Sequence, residues 1–473
     1  MTVSQPSTSL NAQPAASAEP RYVWYGDDFT GATDTLATVA RAGLRTVLFL
    51  GVPTPAQLAA AGPLHAIGIA GAARSMDAAQ MAQELAPVAR FMAQSGARVL
   101  HYKCCSTFDS APHVGSLGQA LRVLSHERYH PMRAIVGGQP NLGRYCVFGN
   151  LFARAGHDAA VYRLDRHPTM SVHPVTPMGE ADLRLYLQRQ GLADIRLLSF
   201  NMHAEPLHPE ERAKQDAAWD QWLETEYKNA NEQPDAVLMD VSAESQLAAI
   251  GRLLWRQAAR APVFALGPSS VAQSLIAGWR STGEWRSNAE TTFQTLAPAK
   301  GPVFTFVGSL SPVSAQQLAA SRCYEHYEVD IEQLLSKPGY GDQCVQTWVG
   351  ALLQGRSVMP HTSPPRCALT ADLTAGVARA SAQLLAAVVR EMALRGQPLR
   401  RVGIVGGDTS SHATQALGLW GLVYHSSLAP GVTMSVARSD DSQIDGLELM
   451  LKGGQMGDEG LLDRLVTGGM LSA

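Results

Sequence analysis

The sequence predicts an α/β protein of two domains, each with a mainly parallel sheet flanked by helices, and three observations carry that expectation. The chain has 473 residues, more than a single domain of about 100–200 residues accommodates. Apolar residues make up 46%, enough for a sizeable core and too many for wholesale disorder. From Arg21 onward, short β-branched runs alternate with longer Ala/Leu-rich stretches, the rhythm of βαβ units.

The first twenty residues, rich in Ser, Pro, Ala and Gln, read as a flexible tail. Tyr22–Tyr25 is the first strand and runs into the turn Gly26-Asp27-Asp28. Thr30–Gly43 has helical content, with Gly43 as its stop, and Thr46–Leu50 is the second strand. Further strands are expected at His65–Ala70, Arg98–Tyr102, Ala134–Val136, Ile195–Leu198, Ala236–Val241 and Val263–Leu266. The last of these leads through Gly267-Pro268-Ser269-Ser270 into a helix. Residues Ser281–Gly301 lose periodicity, so the domain boundary falls there: 1–20 tail, 21–285 first domain, 286–300 linker, 301–473 second domain. The second domain opens with Val303–Val307, the turn Gly308-Ser309-Leu310-Ser311-Pro312 and a helix. Arg401–Val405, Gly406-Gly407-Asp408-Thr409-Ser410-Ser411 and another helix repeat that pattern. Met359–Pro365 reads as a loop, Leu447–Leu451 as an apolar run, and Glu459–Val466 as the last helix.

Charge narrows the function. Lys and Arg number 38 against 41 Asp and Glu, a formal net of −3, too balanced for a dedicated nucleic-acid or acidic-membrane binder. A small-molecule partner is expected. Six cysteines without a C-x-x-C pair make no disulfide framework. The absence of a basic, apolar leader or a run of eighteen apolar residues completes the expectation of a cytoplasmic protein.

Strand-to-helix turns are where open parallel sheets bind ligands, because strand ends and free helix N–H groups meet there. Gly406-Gly407-Asp408-Thr409-Ser410-Ser411 is the best phosphate candidate, since two glycines permit close backbone approach and Thr409 or Ser410 can cap the helix or donate to an anion. Lys452-Gly453-Gly454-Gln455-Met456-Gly457 places a cation beside a tight turn, where it can meet a phosphate. Neither G-x-x-x-x-G-K-[ST] nor G-x-G-x-x-G occurs, so a nucleotide site is of another design. In the first half, Asp27-Asp28 can hold a hydroxylated substrate, accept a hydroxyl proton or help hold Mg²⁺. Arg74 and Lys103, followed by Cys104-Cys105-Ser106, add positive charge and hydroxyls suited to a small anionic polyol. Each of these turns also has a purely structural reading, as a helix cap or solvated strand end. His126-Glu127-Arg128-Tyr129-His130 spells the zinc motif H-E-x-x-H, but Pro131 disfavours helix at His130, and no third ligand is evident.

Taken together, these residues resemble the four-carbon acid sugar kinase family, long recorded as a domain of unknown function and including threonate, erythronate and 3-oxo-tetronate kinases. Gly26-Asp27-Asp28-Phe29-Thr30-Gly31-Ala32 resembles the family's A-D-D-L-T-G-A. His173-Pro174-Val175-Thr176-Pro177-Met178, with Glu180 and Asp182, is similar to H-P-V-T-P-M-x-E-x-D. Gly308-Ser309-Leu310-Ser311-Pro312 resembles G-S-x-S-P, and Gly406-Gly407-Asp408-Thr409-Ser410 resembles G-G-E-T-S. Pro430-Gly431 followed by Lys452-Gly453-Gly454-Gln455-Met456-Gly457 is similar to P-G and then K-S-G-N-F-G.

The resemblance implies an ATP-dependent kinase in which the first domain binds the acid sugar and the second binds ATP, with Mg²⁺ and with transfer across the cleft. On matching positions, substrate contacts fall on Asp27, Asp28, Arg74, Lys103, Cys104, Cys105 and Ser106. ATP contacts fall on Ser309, Gly406, Gly407, Asp408, Thr409, Gly453 and Gly454. Asp28 or Asp27 is the expected proton acceptor, with Arg74 and Lys103 at the substrate's acid end; the metal ligands are not assigned. The implied partners are a small anionic carbohydrate acid and ATP/ADP, not nucleic acid or membrane, and a homodimer is left open. Where many members read K-x-D-S-T-L-R-G-N, this chain has Cys105 for an acid and Asp109 for an arginine. A branched oxo-isoapionate therefore stands beside threonate, erythronate and 3-oxo-tetronate as the expected substrate. The alternative is a two-domain sensor that binds sugar acids without catalysis.

Overall fold

A computed structural model of the chain describes residues 19–126, 132–155, 160–203, 208–229, 233–286, 296–363, 371–429 and 432–469. Its dominant feature is one sheet of 15 strands. Eight consecutive strands at one side, all parallel, come from the first half: Thr46–Phe49, Ala66–Ala70, Tyr22–Gly26, Val99–Lys103, Val263–Gly267, Arg133–Gly137, Ala236–Asp240 and Ile195–Leu198, in spatial order. All eight coincide with the strands expected from β-branched runs, within one or two residues. Most are buried on both faces, which is why they read as continuous apolar runs without alternation.

The second half contributes five parallel strands in the order Glu325–Val329, Val358–Thr362, Phe304–Val307, Arg401–Val405 and Glu448–Lys452. An antiparallel hairpin, Leu419–Ala429 with Val432–Ser439, joins them to the first half. The seam is narrow: Gly421 pairs Phe49 and Leu422 pairs Leu48. Because the hairpin reverses direction, the parallel strands of the two halves run in opposite senses. Three register shifts along Leu419–Ala429 bend that strand and obscure its period-2 pattern, which is why the sequence did not reveal it.

The loop expected at Met359–Pro365 is corrected over Met359–Thr362, which belong to the strand Val358–Thr362 inside the sheet, while Pro364 and Pro365 lie outside the described residues. Pro360 has no N–H to donate, and the ladder to Phe304–Val307 is reduced to the pairs Val358–Phe304 and His361–Val307. Proline weakened the strand without abolishing it. A small antiparallel sheet, Arg144–Val147, Asn150–Arg154 and Val161–Arg163, stands apart. The tail to residue 18, Pro430-Gly431 and most of 286–300 lie outside the described residues. So do Glu127–Pro131; the preceding helix ends at Leu124, so His126 is already beyond it.

Candidate active site

Tyr22–Gly26 lies between Ala66–Ala70 and Val99–Lys103, with Gly26 level with both Ala70 and Lys103. The three following turns therefore open side by side. Asp28 caps the helix Phe29–Arg41, its Oδ1 accepting the Gly31 N–H at 3.0 Å. Arg74, in a short 3₁₀ turn after Ala66–Ala70, donates from Nη2 to Asp27 Oδ1 at 2.7 Å and to Asp28 Oδ1 at 2.9 Å. Its Nε is 3.4 Å from Asp27 Oδ2. Backbone bonds fix the same corner: Asp27 N–H donates to Lys103 O at 3.0 Å, and Arg74 N–H donates to Asp27 O at 3.1 Å.

The two acids are not equivalent. Asp27 is fully buried, both its oxygens are engaged by Arg74, and burial pushes its carboxyl up to about 6, against the pull of Arg74 and reinforced by the charge of Asp28. Asp28 keeps 30% of its side chain exposed, and among the described residues its Oδ2 has no hydrogen-bond partner. Arg74 thus has its charge shared by two carboxylates, and its Nη1 has no acceptor among the described residues. Lys103 is buried and donates to Cys104 O at 2.9 Å. A Cβ on Gly31 would come within 2.4 Å of Asp28 Oδ1 and 2.6 Å of Lys103 Nζ, so this glycine is what lets ammonium and carboxylate share one corner.

Cys104 turns its thiol into the core, leaving only its carbonyl at the site. Cys105 and Ser106 remain partly exposed. Cys105 Sγ lies 3.0 Å from Thr107 Oγ1, which donates to Asp109 Oδ1 at 2.7 Å. Burial and the Asp109 charge push the Cys105 thiol up, so it is a neutral, soft wall and not a thiolate. Phe108, fully buried, holds this loop with a left-handed φ of 56°, a strained conformation for a bulky residue. Sequence reasoning missed a neighbouring polar group: Ser269 Oγ donates to Asp34 Oδ2 at 2.5 Å and sits 2.9 Å from Thr35 Oγ1. Asp34 lies one helical turn beyond Thr30, a spacing that puts both on one helix face and was readable in the sequence.

In the second half, Phe304–Val307, Arg401–Val405 and Glu448–Lys452 are adjacent and parallel, so their turns also meet. Gly308 packs against Thr409, where a Cβ would come 2.4 Å from Thr409 Oγ1; a Cβ on Gly454 would meet Ser309 Oγ at 2.3 Å. Gly406, at φ 129°, leads into the helix Gly407–Ala416 with no side-chain cap, leaving its first N–H groups available. Gly407 and Asp408 are exposed. Lys452, expected to meet a phosphate directly, is buried and turned back onto the turn carbonyls.

The two clusters face each other: a Cβ on Gly453 would lie 4.0 Å from Thr30 Cγ2. The helix that begins at Asp28 thus reaches the glycine turn of the other half.

A family model described as a sugar-binding N-terminal domain matches residues 22–275, and one described as a nucleotide-binding C-terminal domain matches residues 304–462. The chain is 37% identical to a 3-oxo-isoapionate kinase of Paraburkholderia graminis over 96% of its length and 95% of that protein's. It is 29% identical to a 3-oxo-tetronate kinase of Cupriavidus necator, over 92% and 94% respectively. In fold it is similar to a crystal structure from Salmonella typhimurium LT2 (TM-score 0.73, 24% identity, 94% of this chain and 98% of that one). Haemophilus influenzae protein HI1011 gives a TM-score of 0.69 at 23% identity with the same coverage. No helix among the described residues is long and apolar enough to cross a membrane. With a sugar-binding half, a nucleotide-binding half and a full-length likeness to sugar acid kinases, the chain belongs to the four-carbon acid sugar kinase family.

Proposed function

We propose that this protein is an ATP-dependent kinase that phosphorylates a hydroxyl of a small sugar acid or oxo-acid, and that a branched 3-oxo acid of the isoapionate type is its substrate. The observation that carries the reading is the approach of Thr30 to Gly453, which sets the acid-lined turn of one half against the glycine turns of the other. The division falls at 286–300, with the substrate domain before it and the nucleotide domain after it. The full-length likeness to a 3-oxo-isoapionate kinase at 37%, against 29% for a 3-oxo-tetronate kinase, favours the branched acid over 3-oxo-tetronate, threonate or erythronate. The neutral Cys105 wall and the tethered Asp109 are consistent with a pocket different from that of the straight-chain enzymes.

In this mechanism Asp28 Oδ2 accepts the hydroxyl proton as the substrate oxygen bonds to the γ-phosphorus of ATP. The bond from that phosphorus to the bridging oxygen breaks, and its electron pair leaves on ADP. Arg74 Nη1 and Lys103 attract the substrate's acid end, and Asp27 holds Arg74 in place. Ser309, the free N–H groups after Gly406, Thr409 and the Gly453–Gly454 turn hold the phosphates, where positioning and charge neutralisation dominate. Magnesium carried with nucleotide phosphates needs only one or two carboxylates. The exposed Asp408, two residues after Gly406, fits that need, although among the described residues no cluster of three His, Cys, Asp or Glu is placed to hold a metal. Bound there, the ion would neutralise phosphate charge.

Coupled measurement of ADP release tests the substrate assignment: the branched 3-oxo acid is expected to give the highest kcat/KM among four- and five-carbon acids, and a higher value for threonate would reverse it. The acid limb of log kcat/KM is expected near pH 6, since protonating Asp27 (about 6) loosens its grip on Arg74 as pH falls.

A further inference from the structure

Lys452 ends the strand Glu448–Lys452 and is 1% exposed. A lysine at a strand end ordinarily carries its ammonium out to water. This one folds back beneath the next turn, with Nζ donating to Gly453 O at 3.0 Å and to Gly454 O at 3.3 Å. Two hydroxyls reach the same place: Ser311 Oγ donates to Gly454 O at 2.5 Å and Ser314 Oγ at 3.0 Å. Three side chains therefore converge on a single carbonyl.

The peptides here are trans, and in a planar trans peptide the C=O and the following N–H point in opposite directions. With the Gly453 and Gly454 carbonyls drawn inward to Lys452, the N–H groups of Gly454 and Gln455 are turned outward. Neither amide has a protein acceptor among the described residues. Both follow Gly453, whose missing side chain is the point of approach to Thr30. No carboxylate forms an ion pair with Lys452 among the described residues, and burial lowers its ammonium to about 8. Holding an unpaired cation out of water costs free energy. Its charge stands directly behind the two free amides, where it favours an anion in front of them.

We propose that Lys452 is a positioning residue for phosphoryl transfer: by fixing two successive turn carbonyls it aims the Gly454 and Gln455 amides at the transferring phosphoryl group. The inference rests on the kinase reading above. As the bond to the bridging oxygen breaks and the bond to the substrate oxygen forms, charge spreads over the three remaining phosphoryl oxygens. Preorganised amides at that point stabilise it. ADP, which lacks that group, does not use them.

The test compares Lys452→Met with the full-length wild-type chain by two readouts. In turnover, kcat is expected to fall about 100-fold with KM for ATP changed about threefold at most. In calorimetry, ADP affinity is expected to hold within about twofold while affinity for ADP–beryllium fluoride, a mimic of the γ-phosphoryl group, falls about tenfold. Lys452→Arg, which retains a donor, is expected to recover part of both losses. Equal loss of ADP and ADP–beryllium fluoride binding would mean that Lys452 merely supports the fold, and unchanged kcat would also overturn the proposal. If Lys452→Met does not fold, Ser314→Ala removes one of the three donors, and the same selective loss at about threefold is expected; a loss shared equally with ADP counts against the inference. Beryllium fluoride binding needs no sugar acid. A wild type that binds the mimic selectively but phosphorylates no acid would sink the kinase reading alone.

Discussion

Asp28→Asn is expected to lower kcat by about 1,000-fold while leaving ADP affinity unchanged. Asparagine caps a helix as well as aspartate does, so the Gly31 N–H keeps its acceptor and the Phe29–Arg41 helix keeps its start. What disappears is the basic oxygen. Asp28 has 30% of its side chain exposed and its Oδ2 has no hydrogen-bond partner among the described residues, whereas both oxygens of Asp27 are spent on Arg74. The sequence placed two adjacent acids at the turn without ranking them; their burial does. A variant retaining wild-type kcat would move the proton acceptor elsewhere.

Arg74→Met carries the second large effect, on stability as well as substrate binding. It leaves the buried Asp27 and its neighbour Asp28 without their shared cation, and breaking such a buried pair costs about 3 kcal/mol, measurable by urea unfolding. The pH dependence has a definite sign. Arg74 lowers the Asp27 pKa and burial raises it, so removing Arg74 raises it further. An ionised, uncompensated carboxylate penalises the folded state, and protonation relieves it. The loss relative to wild type is therefore expected to be greatest above the variant's raised Asp27 pKa, to shrink as the pH falls from there toward about 6, where wild-type Asp27 also takes up its proton, and to stay level below that. A loss independent of pH would mean that packing of the arginine stem, not its charge, is what matters.

The parts of the fold and site that were readable in the sequence share one property: their signals are local. Doubly buried strands show as apolar runs, and the turns after them are punctuated by Gly, Ser, Thr and Asp because tight backbone and free N–H groups require those residues. That is why Asp27, Asp28, Arg74, Lys103, Ser309, Gly406 and Gly454 stand out after strands in the sequence alone. What escaped notice depends on distant partners. The seam pairs Gly421 and Leu422 with Phe49 and Leu48, and nothing near either segment announces the other. Pro360 hid a strand by removing one donor. Lys452 adjoins the glycine turn in the sequence, but its direction is not legible there, because the inward-facing carbonyl of Gly454 is also held by Ser311 and Ser314 from a distant segment.

Phosphoryl transfer between the two halves is tested by measuring ADP release from the purified full-length chain with MgATP. Four- and five-carbon sugar acids and their 3-oxo forms should each be offered in turn. ADP formed only when an acid is present, and fastest with the branched 3-oxo acid, is the predicted result. No ADP with any acid, from a chain that nevertheless binds one of them tightly, would rule out the kinase and leave a sensor in its place.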